Sequence, residues 1–448
     1  MKVTKFGGSS LANGTQLKKV LAIIKSDPER RFIVVSAPGK SHPLDIKVTD
    51  LLIDYANAFL AKQETTAIEA TIISRFQAMC DELDLTLSMT TIKTEIYSLK
   101  KTPLVSSDRV MDLFKSSGEN CHARLIAEFL TKNGVPATYV HPKDAGILVE
   151  DIPGDTVIKR EAYHTIKHLK HHKDVVVIPG FFGVTSNDSI CTFSRGGSDV
   201  TGSIIAAGIN ANLYENFTDV DAIYSANPNI IDNCAPITEL TFREMRELSY
   251  AGFSVLHDEA LIPAFHQNIP VVIKNTNNPD APGTRISASR PLDTQSVIGI
   301  AADSGFTSIF LRKYLMNREF GFGFRILEIL KEFGLQYEHM PSGIDDITII
   351  LRQNQLTPTS EQQLRDKLLT DLKLDEIKIE HDISMVAIVG EGMKNSIGVA
   401  AKATTALANE GINLEVINQG ASELSILFAI REPYEEQATR ALYQVFFD

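Results

Sequence analysis

Short apolar runs alternate with longer amphipathic runs from the start of the chain to about residue 290. The apolar runs that predict strands lie at 2–6, 32–37, 174–179, 212–218 and 270–274. The amphipathic runs between them predict helices, among them 16–25, 48–60, 120–132, 201–208 and 242–251. Apolar strands separated by helices favour a mainly parallel sheet with helices on both faces. The polar, strand-free stretch 62–100 predicts a helical insertion.

The pattern changes near residue 280, where the stretch NNPDAPGTRIS predicts a linker because it is rich in proline, asparagine and glycine. After the linker the chain resembles itself at a shift of 77 residues. Three glycines and one alternating strand coincide: Gly321, Gly334, Gly343, Ile347, Ile349 and Leu351 fall on Gly398, Gly411, Gly420, Leu424, Ile426 and Phe428. Chance could align the glycines alone. The alternating strand also coincides in phase, and a shift of one residue would turn its apolar face outward, so a true repeat is favoured. We therefore expect two small α/β modules, typical of a regulatory or dimerising tail.

Composition narrows the class of protein. The 448 residues are 44% hydrophobic, enough for about three domains with cores of their own. A formal charge of −12 argues against surfaces that bind nucleic acid or anionic lipid, so we expect neither partner. The start MKVTKFGG lacks the apolar region of a signal peptide, and no apolar run approaches the ~20 residues of a membrane span. A soluble cytoplasmic protein is expected.

The cysteines show neither the close pairs of a zinc site nor the density of a disulfide framework, so we expect them to be small core residues. They are Cys80, Cys121, Cys191 and Cys234.

Several common nucleotide-binding signatures fail. APGKS at 37–41 imitates the end of a P-loop, but Val34 stands where the motif needs its first glycine. GFGF at 321–324 begins a dinucleotide fingerprint, and Ile326 stands where the third glycine is needed. Neither HRD nor DFG occurs, which excludes the protein-kinase set.

The hexapeptide KFGGSS at 5–10 follows the first predicted strand and precedes the first predicted helix. Ligands of open α/β sheets usually bind at such turns. Gly7 and Gly8 let the backbone approach an anion closely, and Lys5 would reach a phosphate as a point charge. The alternative is an ordinary tight turn with a surface lysine.

A second glycine turn, FSRGGSD at 193–199, favours the ligand interpretation. Arg195 offers a planar fork suited to a carboxylate, and Ser198 or Asp199 would cap the helix that follows. A third polar segment, FTDVDAIYSANPN at 217–229, leaves a strand through acidic residues and turn formers; alone it would be a solvated loop. Together the three segments are typical of a sheet that holds a nucleotide opposite a small anion.

These stretches resemble the motifs of the aspartokinases of the amino-acid kinase family, both in their residues and in their order along the chain. The matching segments are KFGGSS, VVSAPGKSHPLDIKVTDLL, SSGE, FSRGGSD, FTDVDAIY and IKNTNNP. The tail resembles the paired ACT domains of such enzymes. The resemblance implies an α/β, amino-acid-kinase-like, mainly parallel sheet sandwiched by helices, followed by two ferredoxin-like ACT domains. The expected boundaries are 1–285 for the catalytic domain, 296–380 for the first ACT region and 381–448 for the second, with interleaving of the two as an alternative.

The resemblance further implies ATP- and Mg²⁺-dependent phosphorylation of the side-chain carboxylate of L-aspartate to 4-phospho-L-aspartate, the first step towards lysine, threonine and methionine. The residue chemistry agrees, because an aspartate carboxylate is ionised at neutral pH and needs no general base. Repulsion between this anionic nucleophile and the phosphate must still be overcome. Lys5 and Arg195 are the candidate cations that would reduce it.

The site residues follow by position within the matched motifs. Those implied to bind ATP are Lys5, Gly7, Gly8, Ser9, Ser36, Thr218, Asp219 and Tyr224. Those implied to hold aspartate are Thr49, Glu119, Arg195 and Ser198, with Glu119 suited to the ammonium group. Lys5, Arg195 and Asp199 are the implied catalytic residues, Asp199 orienting catalytic lysines. No protein-held metal site is expected.

Two positions depart from the family pattern. Ser254 stands where many members have a lysine, and Asn229 stands where an arginine commonly ends the nucleotide loop. Both changes remove positive charge, and Lys274 is the candidate replacement. A catalytically silent amino-acid sensor, or a kinase for another small acidic amino acid, therefore remains an alternative to an active aspartokinase.

The ACT pair implies feedback control by lysine, threonine or both, and a homodimer or higher oligomer formed through the tail. Met316, Glu338 and Ser342 lie where effectors bind in relatives, with ordinary turn and strand roles as the alternative.

Overall fold

The computed structural model describes residues 1–103, 106–152, 155–194, 196–253, 255–292, 296–394 and 396–448. These residues form two compact units. Unit 1 comprises 1–223, 236–246 and 254–290; unit 2 comprises 224–235, 247–253 and 291–448. None of the helices in these ranges combines the length and apolar character that crossing a bilayer requires.

The strands are β1 (Lys2–Phe6), β2 (Arg30–Val35), β3 (Ala137–Tyr139), β4 (Val149–Ile152), β5 (Asp155–Ile158), β6 (Val175–Pro179), β7 (Phe182–Val184), β8 (Ile190–Thr192), β9 (Leu213–Thr218), β10 (Ile223–Tyr224), β11 (Pro236–Ile237), β12 (Glu239–Thr241), β13 (Val271–Asn275), β14 (Thr284–Ser287), β15 (Gly299–Arg312), β16 (Tyr337–His339), β17 (Asp346–Arg352), β18 (Glu376–Val389), β19 (Val416–Gln419) and β20 (Ser425–Arg431). The α-helices are α1 (Gly14–Lys25), α2 (Val48–Leu60), α3 (Thr66–Leu83), α4 (Leu87–Leu99), α5 (Ser107–Lys132), α6 (Pro142–Ala145), α7 (Ala162–Thr165), α8 (Gly197–Ile209), α9 (Phe242–Tyr250), α10 (Ile262–His266), α11 (Phe322–Glu332), α12 (Pro358–Leu372), α13 (Val399–Asn409) and α14 (Glu435–Phe447).

The main sheet of unit 1 has the strand order β12-β14-β13-β9-β1-β2-β6-β3. All neighbouring pairs in this sheet are parallel except β13 and β14. The central strands are buried on both faces; Phe6 and Phe217, in register on β1 and β9, stack at 5.1 Å between ring centroids. The predicted mainly parallel α/β sheet is confirmed.

The helical insertion predicted at 62–100 is confirmed as α3 and α4. Their apolar faces pack with α2 and α5 into one core, which includes Tyr55, Phe76 and Phe114. The helix predicted from 120 begins at Ser107, capped by Ser106, whose hydroxyl accepts from the Arg109 N–H at 3.3 Å. Its first half was missed because serine, glycine and charged residues interrupt the apolar pattern.

The linker predicted near residue 280 is wrong. Thr284 and Ile286 are fully buried in β14, which pairs antiparallel with β13 in the main sheet. The proline and glycine residues of this stretch form the hairpin between the two strands. Turn chemistry was therefore mistaken for a boundary, because a hairpin and a linker use the same residue types.

Unit 2 contains an antiparallel sheet with the order β16-β17-β15-β18-β20-β19. Helices α11 and α12 pack on one cluster of apolar side chains that includes Ile349 and Leu364, and α13 and α14 pack on another that includes Phe428 and Leu442. Because β15 and β18 pair along most of their length, each half of this sheet contains part of both strands.

The internal repeat predicted in the tail is confirmed. Strands β15 and β18 begin at 299 and 376, and helices α11 and α13 begin at 322 and 399, in both cases 77 residues apart. The two long strands are also bulged at equivalent positions: Gly305 has φ +80° and Asp382 has φ +57°. The pairing is symmetric, since Gly299 lies opposite Val389 and Arg312 opposite Glu376. The tail thus consists of two copies related by an approximate twofold axis.

Candidate active site

The first predicted glycine turn lies at the carboxyl end of the central parallel strands. Strand β1 ends at Phe6, and the Gly7 N–H donates to the Phe217 carbonyl on β9 at 3.0 Å. Ser9 is exposed and begins a short 3₁₀ helix that leads into α1. The carboxyl ends of parallel strands are where open α/β sheets bind ligands.

Lys5 is the central cation of this edge in the described residues. Its side chain is 9% exposed, and its Nζ lies 2.6 Å from Asp199 Oδ1 and 3.4 Å from Asn216 Oδ1. The Asn216 amide in turn donates to Asp199 Oδ1 at 2.7 Å. Lys5 and Asn216 are level on neighbouring parallel strands, so their side chains share a face of the sheet. Sequence reasoning paired Asp199 with a lysine but missed Asn216, which looks like any polar residue within a strand.

The second glycine turn differs from the prediction at its helix cap. Helix α8 begins at Gly197, and its N-cap is Gly196 at φ +54°, without a side-chain cap. Ser198 and Asp199 therefore lie inside the first turn, and the predicted cap at either residue is wrong. The glycines are required by geometry: a Cβ on Gly197 would lie 2.2 Å from the Phe181 ring. Because it is not needed as a cap, the Asp199 carboxylate is available to pair with Lys5.

The first glycine turn packs against the loop after β2. The Gly39 N–H donates to the Gly8 carbonyl at 2.9 Å, and a Cβ on Gly39 would lie 2.6 Å from the Gly8 carbonyl carbon and oxygen. A Cβ on Gly8 would lie 3.1 Å from the Ala37 oxygen. Two backbones therefore meet here without side chains between them, which is what close approach to an anion requires.

Arg75 on α3 holds this loop from the other side. Its guanidinium donates to the carbonyls of Gly39 and Ile46, each at 3.0 Å, and pairs with the Asp45 carboxylate. The loop leads into α2, where Thr49 lies half-buried in the first turn. Arg75 was not identified from the sequence, because its role depends on a contact between the insertion and a distant loop.

Glu119 lies in the middle of α5 and is 5% exposed. Burial raises the pKa of its carboxyl to about 8, and a weaker interaction with the Ala37 N–H partly offsets this. Its Oε2 has no hydrogen-bond partner in the described part of the chain. A buried carboxyl with a vacant acceptor is suited to a cation such as an ammonium group.

One turn further along α5, His122 is fully buried. Its Nδ1 lies 2.8 Å from the Ser36 carbonyl oxygen, and burial lowers the pKa of its imidazole to about 4. The ring also lies edge-on to Phe76, at 6.2 Å between centroids. Ser36 is half-buried, and its N–H donates to the Phe6 carbonyl at 3.3 Å. His122 was not predicted, since a lone histidine in a helix gives no functional signal.

The predicted nucleotide residues Thr218 and Asp219 belong to unit 1. Thr218 ends β9, its hydroxyl donates to the exposed Asp219 carboxylate at 3.2 Å, and its carbonyl accepts from the Thr276 N–H at 2.9 Å. Tyr224 and Asn229 belong to unit 2.

Lys274 lies on the other side of the sheet from Lys5. It is level with Phe217 on β9, whereas Lys5 is level with the preceding residue, Asn216, and side chains alternate along a strand. Burial lowers the pKa of Lys274, while the nearby Glu215 carboxylate opposes that shift. The structure does not place this lysine beside Lys5.

Two predicted positions, Arg195 and Ser254, lie outside the described residues. In the described ranges, no group of three or more histidine, cysteine, aspartate or glutamate side chains has the arrangement of a metal site.

The predicted effector residues lie in different environments. Met316 is buried in the core of the first repeat, and Ser342 is exposed and forms an isolated β-bridge with Ile347. The Glu338 carboxylate accepts from the Tyr250 hydroxyl and lies 3.5 Å from the Arg352 guanidinium.

Comparison with known proteins gives consistent matches along the chain. Residues 1–275 match the model of the amino acid kinase family, and residues 386–446 match an ACT domain model. Aspartokinase 3 of Bacillus subtilis is 50% identical over 448 residues, which is 100% of this chain and 99% of that protein. Aspartokinase 1, chloroplastic, of Arabidopsis thaliana is 28% identical, over 100% of this chain and 80% of that protein.

A solved structure matches over the same length. The crystal structure of Clostridium acetobutylicum aspartate kinase superposes with a TM-score of 0.85 at 36% identity, covering 100% of both chains. That of Escherichia coli aspartokinase III in complex with aspartate and ADP has a TM-score of 0.76 at 23% identity, again over 100% of both chains, which is a likeness of fold.

Proposed function

This chain belongs to the amino acid kinase family, and we propose that it is an aspartokinase, which transfers the γ-phosphoryl group of ATP to the side-chain carboxylate of L-aspartate. The observation that carries the proposal is the buried Lys5 ammonium, held by Asp199 beside the Gly7–Gly8 turn. The products are 4-phospho-L-aspartate and ADP, and the reaction opens the route to lysine, threonine and methionine.

The reaction requires that negative charge on the reacting groups be compensated, and it requires no proton transfer from the nucleophile. The aspartate carboxylate is already ionised at neutral pH, so one of its oxygens attacks the γ-phosphorus while the bond to the ADP oxygen breaks. Lys5 balances the negative charge of the transferred group, and Asp199 and Asn216 hold its ammonium in place. No general base is needed, so the missing protein-kinase aspartate has no consequence.

The glycine turn and the buried glutamate divide the recognition of the two substrates. We assign the phosphates to the Gly7–Gly8 turn with the Gly8 N–H as the backbone donor, because the Gly7 N–H already donates to the Phe217 carbonyl. Glu119 receives the ammonium of aspartate through its vacant oxygen. Ammonium binding would favour the ionised form of Glu119, whose pKa burial raises to about 8. We assign Thr49 and Ser198 to the aspartate pocket, with Arg195 as the carboxylate anchor. Ser36, Thr218 and Asp219 are assigned to the nucleotide.

Mg²⁺ enters as part of the substrate MgATP. A nucleotide-bound Mg²⁺ is held largely by phosphate oxygens and water, with few protein carboxylates, so a dedicated protein site is not required. We further propose feedback control by an amino acid bound to the ACT repeats, and a homodimer formed through them, in keeping with the ACT match at 386–446.

The experiment is a hydroxylamine trap. Purified protein is incubated with MgATP and L-aspartate, and with glutamate or acetylglutamate as matched acids, and any acyl phosphate is measured as its hydroxamate. We expect hydroxamate with aspartate and none with glutamate or acetylglutamate. A folded protein that yields none, while lysine or threonine still raises its melting temperature, would instead be the silent sensor that the family departures at Asn229 and Ser254 leave open.

A further inference from the structure

One peptide group in the loop after β2 is approached by two side chains of the same helix. The carbonyl of Ser36 lies 2.8 Å from His122 Nδ1, and the N–H of the next residue, Ala37, interacts with the Glu119 carboxyl. Both side chains come from α5, one helical turn apart. The contact with His122 therefore fixes the carbonyl end of this peptide, while Glu119 approaches its N–H end.

The tautomer of His122 follows from its partner. A carbonyl oxygen only accepts, so Nδ1 must carry the proton and donate it. In a fully buried site the ring is neutral, which leaves Nε2 as an unprotonated acceptor without a partner among the described residues. Such an acceptor costs stability, so His122 is not explained by packing alone.

The Ser36–Ala37 peptide lies at the start of the loop that packs against the Gly7–Gly8 turn. Two residues later the Gly39 N–H donates to the Gly8 carbonyl at 2.9 Å, and the Ala37 oxygen lies against Gly8. The Ala37 oxygen belongs to the next peptide, Ala37–Pro38, so a change in the orientation of the Ser36–Ala37 peptide would redirect the chain through Ala37 and shift that oxygen relative to Gly8. The contact at His122 thus controls a backbone surface that touches the Gly7–Gly8 turn.

We propose that His122 is a positioning residue for phosphoryl transfer: by donating from Nδ1 to the Ser36 carbonyl it fixes the loop that packs on the Gly7–Gly8 turn. This rests on the proposed function only in assigning that turn to the phosphates. His122 does not touch a substrate; it acts through Ser36 and Ala37. Glu119, which we assign to the aspartate pocket, approaches the N–H of the same peptide.

The test compares two amide substitutions. In His122→Asn the amide nitrogen takes the position of Nδ1 and still reaches Ser36, whereas in His122→Gln it takes the position of Nε2 and does not. We expect His122→Asn to remain within about threefold of the parent in kcat and in MgADP affinity. His122→Gln and His122→Leu should lose about tenfold or more, as expected when a buried carbonyl loses its donor. The KM for aspartate should change less than kcat.

The control is His164→Asn, an exposed histidine on α7, which should match the parent in every measurement. Equal activity of the His122→Gln and His122→Asn variants, or parent-like behaviour of His122→Leu, would overturn the proposal. If His122→Leu fails to fold, the two amide variants decide. If the parent does not phosphorylate aspartate, the proposed function fails, yet the ranking of MgADP affinities still tests the role of His122.

Discussion

The Lys5 ammonium lies 2.6 Å from the Asp199 carboxylate, although the two residues are 194 positions apart in the chain. Strand β1 supplies the first residue and the first turn of α8 supplies the second. Helix α8 starts at Gly197, which leaves the Asp199 carboxylate free for this pair, whereas a later start with Asp199 as the N-cap would have used that carboxylate for the cap. The arrangement leads to predictions about Lys5, its supports, and the groups around them.

Replacing Lys5 with alanine should leave a folded protein with greatly reduced kcat. Removing one preorganised charge contact in a buried site typically costs about 2 to 4 kcal/mol of transition-state stabilisation, or about 10²-fold in kcat. Steady-state assays of hydroxamate formation would measure the loss. Lys18→Ala, at an exposed position on α1, is the control. Near-normal turnover of the Lys5 variant would mean that the phosphate binds elsewhere.

Asn216→Ala should reduce kcat because the amide both accepts from Lys5 and donates to Asp199, at 3.4 and 2.7 Å. Hydrogen bonds to charged groups contribute about 1.5 to 3 kcal/mol, so a loss of about tenfold or more is expected. A double-mutant cycle with Asp199→Asn would measure the coupling. Purely additive effects of the two substitutions would show that Asn216 and Asp199 do not act as a unit.

Gly39→Ala should lower both stability and activity. The added Cβ would lie 2.6 Å from the Gly8 backbone, which has no flexible side chain to move away, so the two loops must separate. We expect a cost of about 1 to 3 kcal/mol, typical of overpacking, and a raised KM for MgATP. Gly323→Ala is the matched control, since a Cβ there meets nothing within 4 Å and alanine favours a helix. Similar thermal stability and kinetics for the two variants would contradict the close packing.

Glu119→Gln should change how the ligand-free protein responds to pH. Burial raises the pKa of Glu119 to about 8 from a usual value of 4.5, so its contribution to stability is complete below pH 4.5 and is lost as pH rises through 8. Glutamine does not titrate, so the free energy of unfolding of the variant should rise relative to that of the parent between pH 5 and 9. The expected change in this difference is a few kcal/mol, at about 1.4 kcal/mol per pKa unit. Melting curves by circular dichroism across that range would measure it. A constant difference between the two proteins would show that Glu119 is not buried as described.

The local pattern of apolar and polar residues was sufficient to predict much of the fold. Strand β1 and helix α2 have the predicted bounds, and the repeat of 77 residues is present in the strands and helices of unit 2. These elements were predictable because burial of an apolar face imposes its own period on the sequence. The errors fell where one residue type has two uses: the prolines and glycines before Thr284 form a hairpin, and Ser198 and Asp199 lie inside a helix that two glycines begin.

The sequence by itself determined the glycine turns, the family motifs, and Lys5 and Glu119 as candidates, since these depend on short segments. Only the tertiary structure decided which groups support them. Asn216, Arg75 and His122 carry no local signal, because each acts through a partner far away in the chain. It also separated Lys274 from Lys5, because the alternation of side chains matters only once neighbouring strands are in register.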